Sequence, residues 1–310
     1  MFAFEVVFRS VLLKKKSFLR KTKSYEKSLL GTRKTDILNY MTETSDIWTG
    51  KALSYDRARP TPPPALLDLL TQLIRMPHPA LVVDVGSGTG LSTAIWGERA
   101  ELVIGIEPNA DMRTQAVHKV EDHPYAAHIQ YQEGVAHQTG LPDECADIVT
   151  AAQSFHWMEP TSTLAEIARI LRPGGLFAAY EYDWPPTLHW ELERVYQEVD
   201  ERFDELLQER GLTGPTGAFP EWPKHTHLDR MRDSGHFRFT REVLLHHIEQ
   251  GDAARFLELI LTNSRSHQFK LKTITEQEIG FDRLTRAAFQ SLGSEPIPWY
   301  LSYRVRIGIK

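Results

Sequence analysis

A single cysteine, Cys145, stands among 310 residues, so no disulfide can form within the chain and a disulfide-stapled secreted scaffold is excluded. No apolar run approaches the ~18 residues that a membrane helix requires, so no stable membrane insertion is expected. The excess of positive charge that marks a nucleic-acid-coating protein is missing as well. Lys and Arg number 36 against 41 Asp and Glu, a net of −5. Histidines occur, but not at metal-site spacing. His225 and His227 sit two apart and His246 and His247 are adjacent, and neither spacing puts two imidazoles on one helical face, so no metal is expected. What is present is ordinary for a soluble globular protein, with 41% hydrophobic and 25% charged residues. The length suffices for one large α/β domain or two smaller ones.

The charge is unevenly spread. Residues 1–40 hold ten Lys/Arg and three Asp/Glu, which leaves 26 and 38 for residues 41–310. The first forty residues start apolar, are interrupted by Glu5 and Arg9, and turn basic at Lys14. They lack the small-residue cleavage site of a secretory leader. They read as a disordered basic tail or an over-long start, with Met41 as the natural beginning. A cytoplasmic location is the expectation that follows.

From Pro62 the pattern becomes that of a packed domain. Prolines precede Leu66, Leu67, Leu70 and Leu73, a helix with its prolines in the first turn. Ala80–Val85 is a short apolar strand running into Gly86-Ser87-Gly88-Thr89-Gly90, and residues 91–100 are helix-compatible. Glycines permit positive φ and a close backbone approach by a ligand. Free amides at the following helix start attract ligand oxygens. Strand, glycine loop and helix in this order predict a nucleotide-type pocket at the carboxyl end of a first parallel strand. A second strand, Glu101–Glu107, ends in a carboxylate seventeen positions after Gly90, where it can accept from both ribose hydroxyls.

The glycine spacing separates two cofactors. A dinucleotide fingerprint is G-x-G-x-x-G, whereas here Asp84, Gly86, Gly88 and Gly90 form D-x-G-x-G-x-G. This resembles the first motif of the class I S-adenosylmethionine-dependent methyltransferases. The resemblance continues in order through Glu107-Pro108 with Met112, through Gly134-Val135-Ala136, and through Gln153 at the tip of a fourth strand, Ala146–Ala152. Arg172-Pro173-Gly174-Gly175 leads into a fifth strand, Leu176–Tyr180. Upstream, Tyr55 and Arg59-Pro60 resemble the Y-x-x-x-R-P segment of the branch that includes trans-aconitate and ubiquinone/menaquinone-type methyltransferases. The resemblance implies cofactor contacts from Tyr55, Arg59, Asp84, Gly86, Ser87, Gly88, Gly90, Glu107, Pro108, Met112, Gly134, Val135, Ala136 and Gln153. His137 stands where the family has a Glu at the adenine, a departure at one contact.

The implied fold is α/β: a Rossmann-like, mostly parallel seven-stranded sheet with helices on both faces and a helical C-terminal insertion forming a lid. The core spans residues 41–185. Residues 186–310 supply the lid, the substrate region and the last strands. A long amphipathic helix carries Leu192, Val195, Val199, Phe203 and Leu206. His236–His247 reads as a sixth strand, and residues 248–296 as mostly helical with a capping box at Thr275 and Glu278. The alternation of Leu301, Tyr303, Val305, Ile307 and Ile309 gives the final strand.

The function implied is methyl transfer from S-adenosylmethionine to a small-molecule acceptor, a carboxylate, phenol or enol, by in-line displacement. The alternatives are a nicotinamide-dependent oxidoreductase and a non-catalytic cofactor-binding module. Trp157, Tyr180, Tyr182 and Trp184 follow strand ends on the cofactor side and are expected to line the acceptor pocket. His156 is the candidate base, with packing beside Trp157 as its other role. No nucleic-acid partner is expected, and the chain reads as a monomer or homodimer.

Overall fold

In a computed structural model, the described residues are 47–212, 222–270 and 273–310. The expectations for residues 1–40 and for most of the Gly/Pro-rich loop 211–224 lie outside them.

Two helices, α1 (Ala52–Ala58) and α2 (Pro64–Leu73), lead into the sheet. Then follow β1 (Leu81–Val85), α3 (Leu91–Ala94), β2 (Leu102–Ile106), α4 (Ala110–Glu121), β3 (Ile129–Gln132), β4 (Ala146–Ala152), α5 (Pro160–Ile170) and β5 (Leu171–Tyr182). The C-terminal half gives α6 (Trp190–Glu209), α7 (His227–Asp233), β6 (Phe239–Gly251), α8 (Ala253–Leu261), α9 (His267–Lys270), α10 (Glu276–Ile279), α11 (Phe281–Leu292) and β7 (Ile297–Ile309).

The strands form one seven-stranded sheet in the order β3-β2-β1-β4-β5-β7-β6. The first five are parallel, and β7 runs antiparallel to both its neighbours. The parallel strands are near-continuous apolar runs because helices cover both faces. On one face Val83, Val85, Val149, Phe177 and Ala179 pack with Leu164 and Ile167 of α5. On the other, Val82, Val103, Ile148, Leu176 and Ala178 pack with Leu66, Leu67 and Leu70 of α2. A third cluster joins α6, α8 and α11 through Leu192, Val199, Phe203, Phe256, Leu259 and Leu284. These are the helices expected as an insertion, and the Thr275–Glu278 capping box starts α10.

Three local expectations are corrected. The helix expected over 91–100 is a single turn, after which Trp96, Gly97 and Arg99 donate to Thr93, Ala94 and Trp96 in tighter turns. Those turns bury Trp96 completely against the sheet. The R-P-G-G stretch lies inside β5 rather than before it. Ala146 pairs with Leu171 but Ile148 pairs with Leu176, so the extra residues bulge out of the ladder. Finally, β6 is shifted beyond His236–His247 to Phe239–Gly251, because its partner β7 continues the ladder to Ile297.

Candidate functional site

The site gathers at the carboxyl ends of the parallel strands. The loop after β1 holds positive φ at Gly86 (67°), Gly88 (57°) and Gly90 (79°). The outer two glycines are packed from behind. A Cβ on Gly86 would stand 2.8 Å from Met158 Cε and Ser154 Cβ, and one on Gly90 would run into the Tyr131 hydroxyl. Gly88 faces the other way, with no atom within 4 Å of the Cβ it lacks. The loop is anchored by Gly86 and Ser87 amides donating to Ile106 O at 2.8 and 3.1 Å.

Glu107 lies just past β2 and is buried. Its Oε2 accepts from the Gly88 amide and its Oε1 from the Asn109 amide, both at 2.8 Å. Burial pushes its carboxyl up to about 6, against the opposing pull of those two amides and of Arg113. Asp84 is turned inward. Thr93 and Thr150 hydroxyls each donate to it at 2.7 Å, and burial raises it to about 6. Its observed contacts lie beneath the loop rather than on the open side.

Ser87 Oγ and Gln153 Nε2 are among the polar atoms buried here without a partner. Gln153 also holds a positive φ of 52° at the end of β4. Ser87 Oγ turns back toward β2, 2.8 Å from the Cβ that Gly105 lacks, while Gln153 Nε2 is a buried donor of the kind a polar ligand satisfies. Pro108 is exposed and Met112 buried where α4 begins. Gly134, Val135 and Ala136 form the turn after β3, and His137 Nδ1 beside them is buried and unpartnered.

The segment 47–59 crosses this end. Asn109 Nδ2 donates to Thr49 Oγ1 at 3.0 Å, Gly50 N to Asp111 Oδ2 at 2.8 Å, and Thr89 Oγ1 to Asp56 Oδ1 at 2.9 Å. The Arg59 guanidinium lies 4.8 Å from the Tyr55 ring centre and donates to Tyr182 Oη at 3.0 Å and Thr262 O at 3.1 Å. Its Nε is sealed and unpartnered. Trp48 meets Tyr55 and Trp157 edge-on, at 5.5 and 6.1 Å between ring centres. Sequence reasoning missed Trp48; its only signal was an aromatic residue close upstream of Tyr55 and Arg59.

The expected acceptor-side residues separate. Tyr182 and Trp184 lie 6.4 Å apart, and Trp184 Nε1 donates to Tyr196 Oη. Tyr180 does not join them. It is 2% exposed and bonds Ser92 through its hydroxyl, while Tyr182, of the same buried cluster, is 5% exposed and accepts from Arg59. Strand alternation puts Tyr180 on the same face as Tyr182 but one step deeper. His156 is 6% exposed, in a 3-10 turn, Phe155–Trp157, whose His156 carbonyl accepts from Trp222 N at 2.7 Å. Burial, then the charges of Lys224, His227 and Arg59, hold its imidazole well below the usual range. It is therefore neutral, but covered. Of its neighbours, Glu181 was not singled out from the sequence, and His227 was weighed only by its spacing from His225.

Residues 83–179 match the family model described as "Methyltransferase domain". Residues 83–179 are thus a methyltransferase domain. An uncharacterized methyltransferase of Mycobacterium tuberculosis is 36% identical over 125 residues, which cover 39% of this chain and 46% of that protein. A probable S-adenosylmethionine-dependent methyltransferase of Saccharomyces cerevisiae is 26% identical over 132 residues, 42% of this chain and 45% of that one. The chain thus spans about half the length of the curated methyltransferases it matches. A solved structure described as a putative type II methyltransferase from Anaeromyxobacter dehalogenans has a TM-score of 0.58 at 24% identity. It covers 81% of this chain and 97% of that one, and shares the fold. Among the described residues, no helix is long and apolar enough to cross a membrane.

Proposed function

We propose that the chain transfers a methyl group from S-adenosylmethionine to a small-molecule acceptor. The carrying observation is the open face of Gly88, whose amide is held by the buried Glu107 carboxylate, with Gln153 Nε2 awaiting a partner. When bound, the cofactor supplies a methyl group already activated on a sulfonium. Glu107 would accept from the ribose hydroxyls, and the turn at Gly134–Ala136 would hold the adenine. Arg59 makes no ion pair among the described residues, so its guanidinium suits the methionine carboxylate.

The chain's task is orientation and exclusion of water, which is worth ~7–11 kcal/mol of barrier when donor and acceptor are held in line. Trp157, Tyr182 and Trp184 form the aromatic side toward the acceptor, and their faces also favour a sulfonium. The cover over His156 supports a positioning role for it over proton abstraction. An acceptor that needs no base, a carboxylate, fits this best, ahead of a phenol or enol. A cytoplasmic monomer or homodimer acting on no nucleic acid completes the reading, as does a division into a cofactor core up to residue 185 and a covering helical region after it.

Thermal stabilisation by S-adenosylmethionine, S-adenosylhomocysteine and NADH tests the cofactor. Saturation to a hundred times Kd adds ~2.7 kcal/mol, a shift of about 4 °C for a chain of this size. A shift with NADH alone overturns the reading in favour of an oxidoreductase. A shift with the sulfur ligands but no turnover in an acceptor screen led by carboxylates favours a binding module.

A further inference from the structure

We propose that His156, Glu181 and His227 form a binding site for a divalent transition-metal ion of the zinc class. The three come from separate elements: the turn after β4, the penultimate residue of β5 and the first residue of α7. All three are buried, and one ligand atom from each lies within 4.8 Å of the other two. Two imidazoles and a carboxylate are a donor set that suits such ions. Metal–ligand bonds of ~2.0–2.1 Å place ligand atoms about 3.3 Å apart, so no pair needs to close by more than roughly 1.5 Å on binding. The spacing of His225 and His227 gave no hint of this, because the partners of His227 arrive through the tertiary fold.

A second observation separates the cluster from an ordinary buried network. His227 is 2% exposed, and neither of its ring nitrogens has a hydrogen-bond partner. It packs against Phe155 at 4.8 Å between ring centres. A buried imidazole with both nitrogens unmet is rare in native structures, and a metal bond satisfies one of them. Arg306 holds Glu181 Oε1, which leaves Oε2 facing His156 Nδ1 at 3.8 Å. Arg306 then acts as the outer partner that orients a metal-ligating carboxylate. Lys224 Nζ stands 3.4 Å from the same Oε2, and its side chain is 40% exposed. That ammonium competes with the ion and can swing into solvent when the ion binds. The metal ties α7 to the ends of β4 and β5, and three protein ligands leave one position for water. This site does not rest on the methyl-transfer reading.

The test uses the full chain, freed of metal with a chelator and titrated with Zn²⁺ and with Co²⁺, whose visible bands report four-coordination. One ion per chain is expected, with four-coordinate Co²⁺ bands. Changes outside the first ligand shell cost ~10–100-fold in affinity, so His227→Ala and Glu181→Gln should each cost at least that much. Lys224→Met, a surface change that leaves the core intact, should bind tighter than the parent. Absence of uptake overturns the proposal, and so does equal uptake by the parent and His227→Ala, which would place the ion on surface histidines. If His227→Ala does not fold, Lys224→Met decides: an affinity no higher than the parent's overturns the site.

Discussion

Glu107 and Gly88 are joined across the strand ends, the carboxylate Oε2 accepting the loop amide at 2.8 Å. One buried acid therefore pins the middle glycine of the loop and, through the Asn109 amide, the start of α4. Its raised value of about 6 sets the sign of a pH effect. Below about pH 6 Glu107 gains a proton and loses acceptor capacity, so S-adenosylmethionine affinity should fall by up to tenfold per pH unit. Calorimetric titration from pH 5 to 8 checks this, and Glu107→Gln should bind weakly and flatten the profile. Stability runs the other way in part of this window. Between the ordinary value of 4.5 and about 6 the folded state keeps a proton that the unfolded state has released, so this group's contribution falls as pH rises.

The three loop glycines should not respond alike. Gly88→Val points into open space, so the variant should fold yet lose cofactor binding. Gly90→Ala meets Tyr131 as well as the strain of its positive φ. It should be less stable than Gly88→Ala, which bears only the strain, roughly 1–2 kcal/mol. Urea unfolding of the two alanine variants makes the comparison, and equal midpoints would count against the packing described.

Thr150→Val keeps shape but removes a hydroxyl from Asp84 Oδ1. An unmet buried acceptor costs ~1–3 kcal/mol. A loss of that order is expected in the unfolding free energy, with cofactor affinity changed little. A collapse of affinity instead would move Asp84 from beneath the loop into the binding surface.

His156→Ala should leave cofactor affinity intact and lower turnover by disturbing Trp157, 5.2 Å away between ring centres. Trp48→Ala should weaken cofactor affinity, because Trp48 closes over Tyr55 and Trp157. Unchanged turnover in the first variant removes His156 from the mechanism. Unchanged affinity in the second makes Trp48 a bystander.

Much of this was legible because it is local. Strand, glycine loop and terminal acid follow one another within a few residues of Asp84 and Glu107, and the capping box at Thr275 is written in four positions. Errors arose where tertiary packing overrides local pattern. Trp96 draws the chain into tight turns and cuts α3 to one turn, and β7 extends β6 to Gly251. Tyr180 and Tyr182 share a face and one buried cluster, and their different partners, Ser92 and Arg59, are set by depth in the sheet. Glu181 and His227, 46 positions apart in sequence, meet through strand order and the placement of α7, which no periodicity records.

The crossing segment is fastened on two sides. Thr49, Gly50 and Asp56 hold it to the cofactor end, while Lys51 Nζ donates to Ser266 Oγ at 2.8 Å, Arg57 pairs with Glu258, and Arg59 reaches Thr262. A strap tied to two separate regions of the fold cannot lift by releasing one side, so opening this end means parting both sets of bonds together.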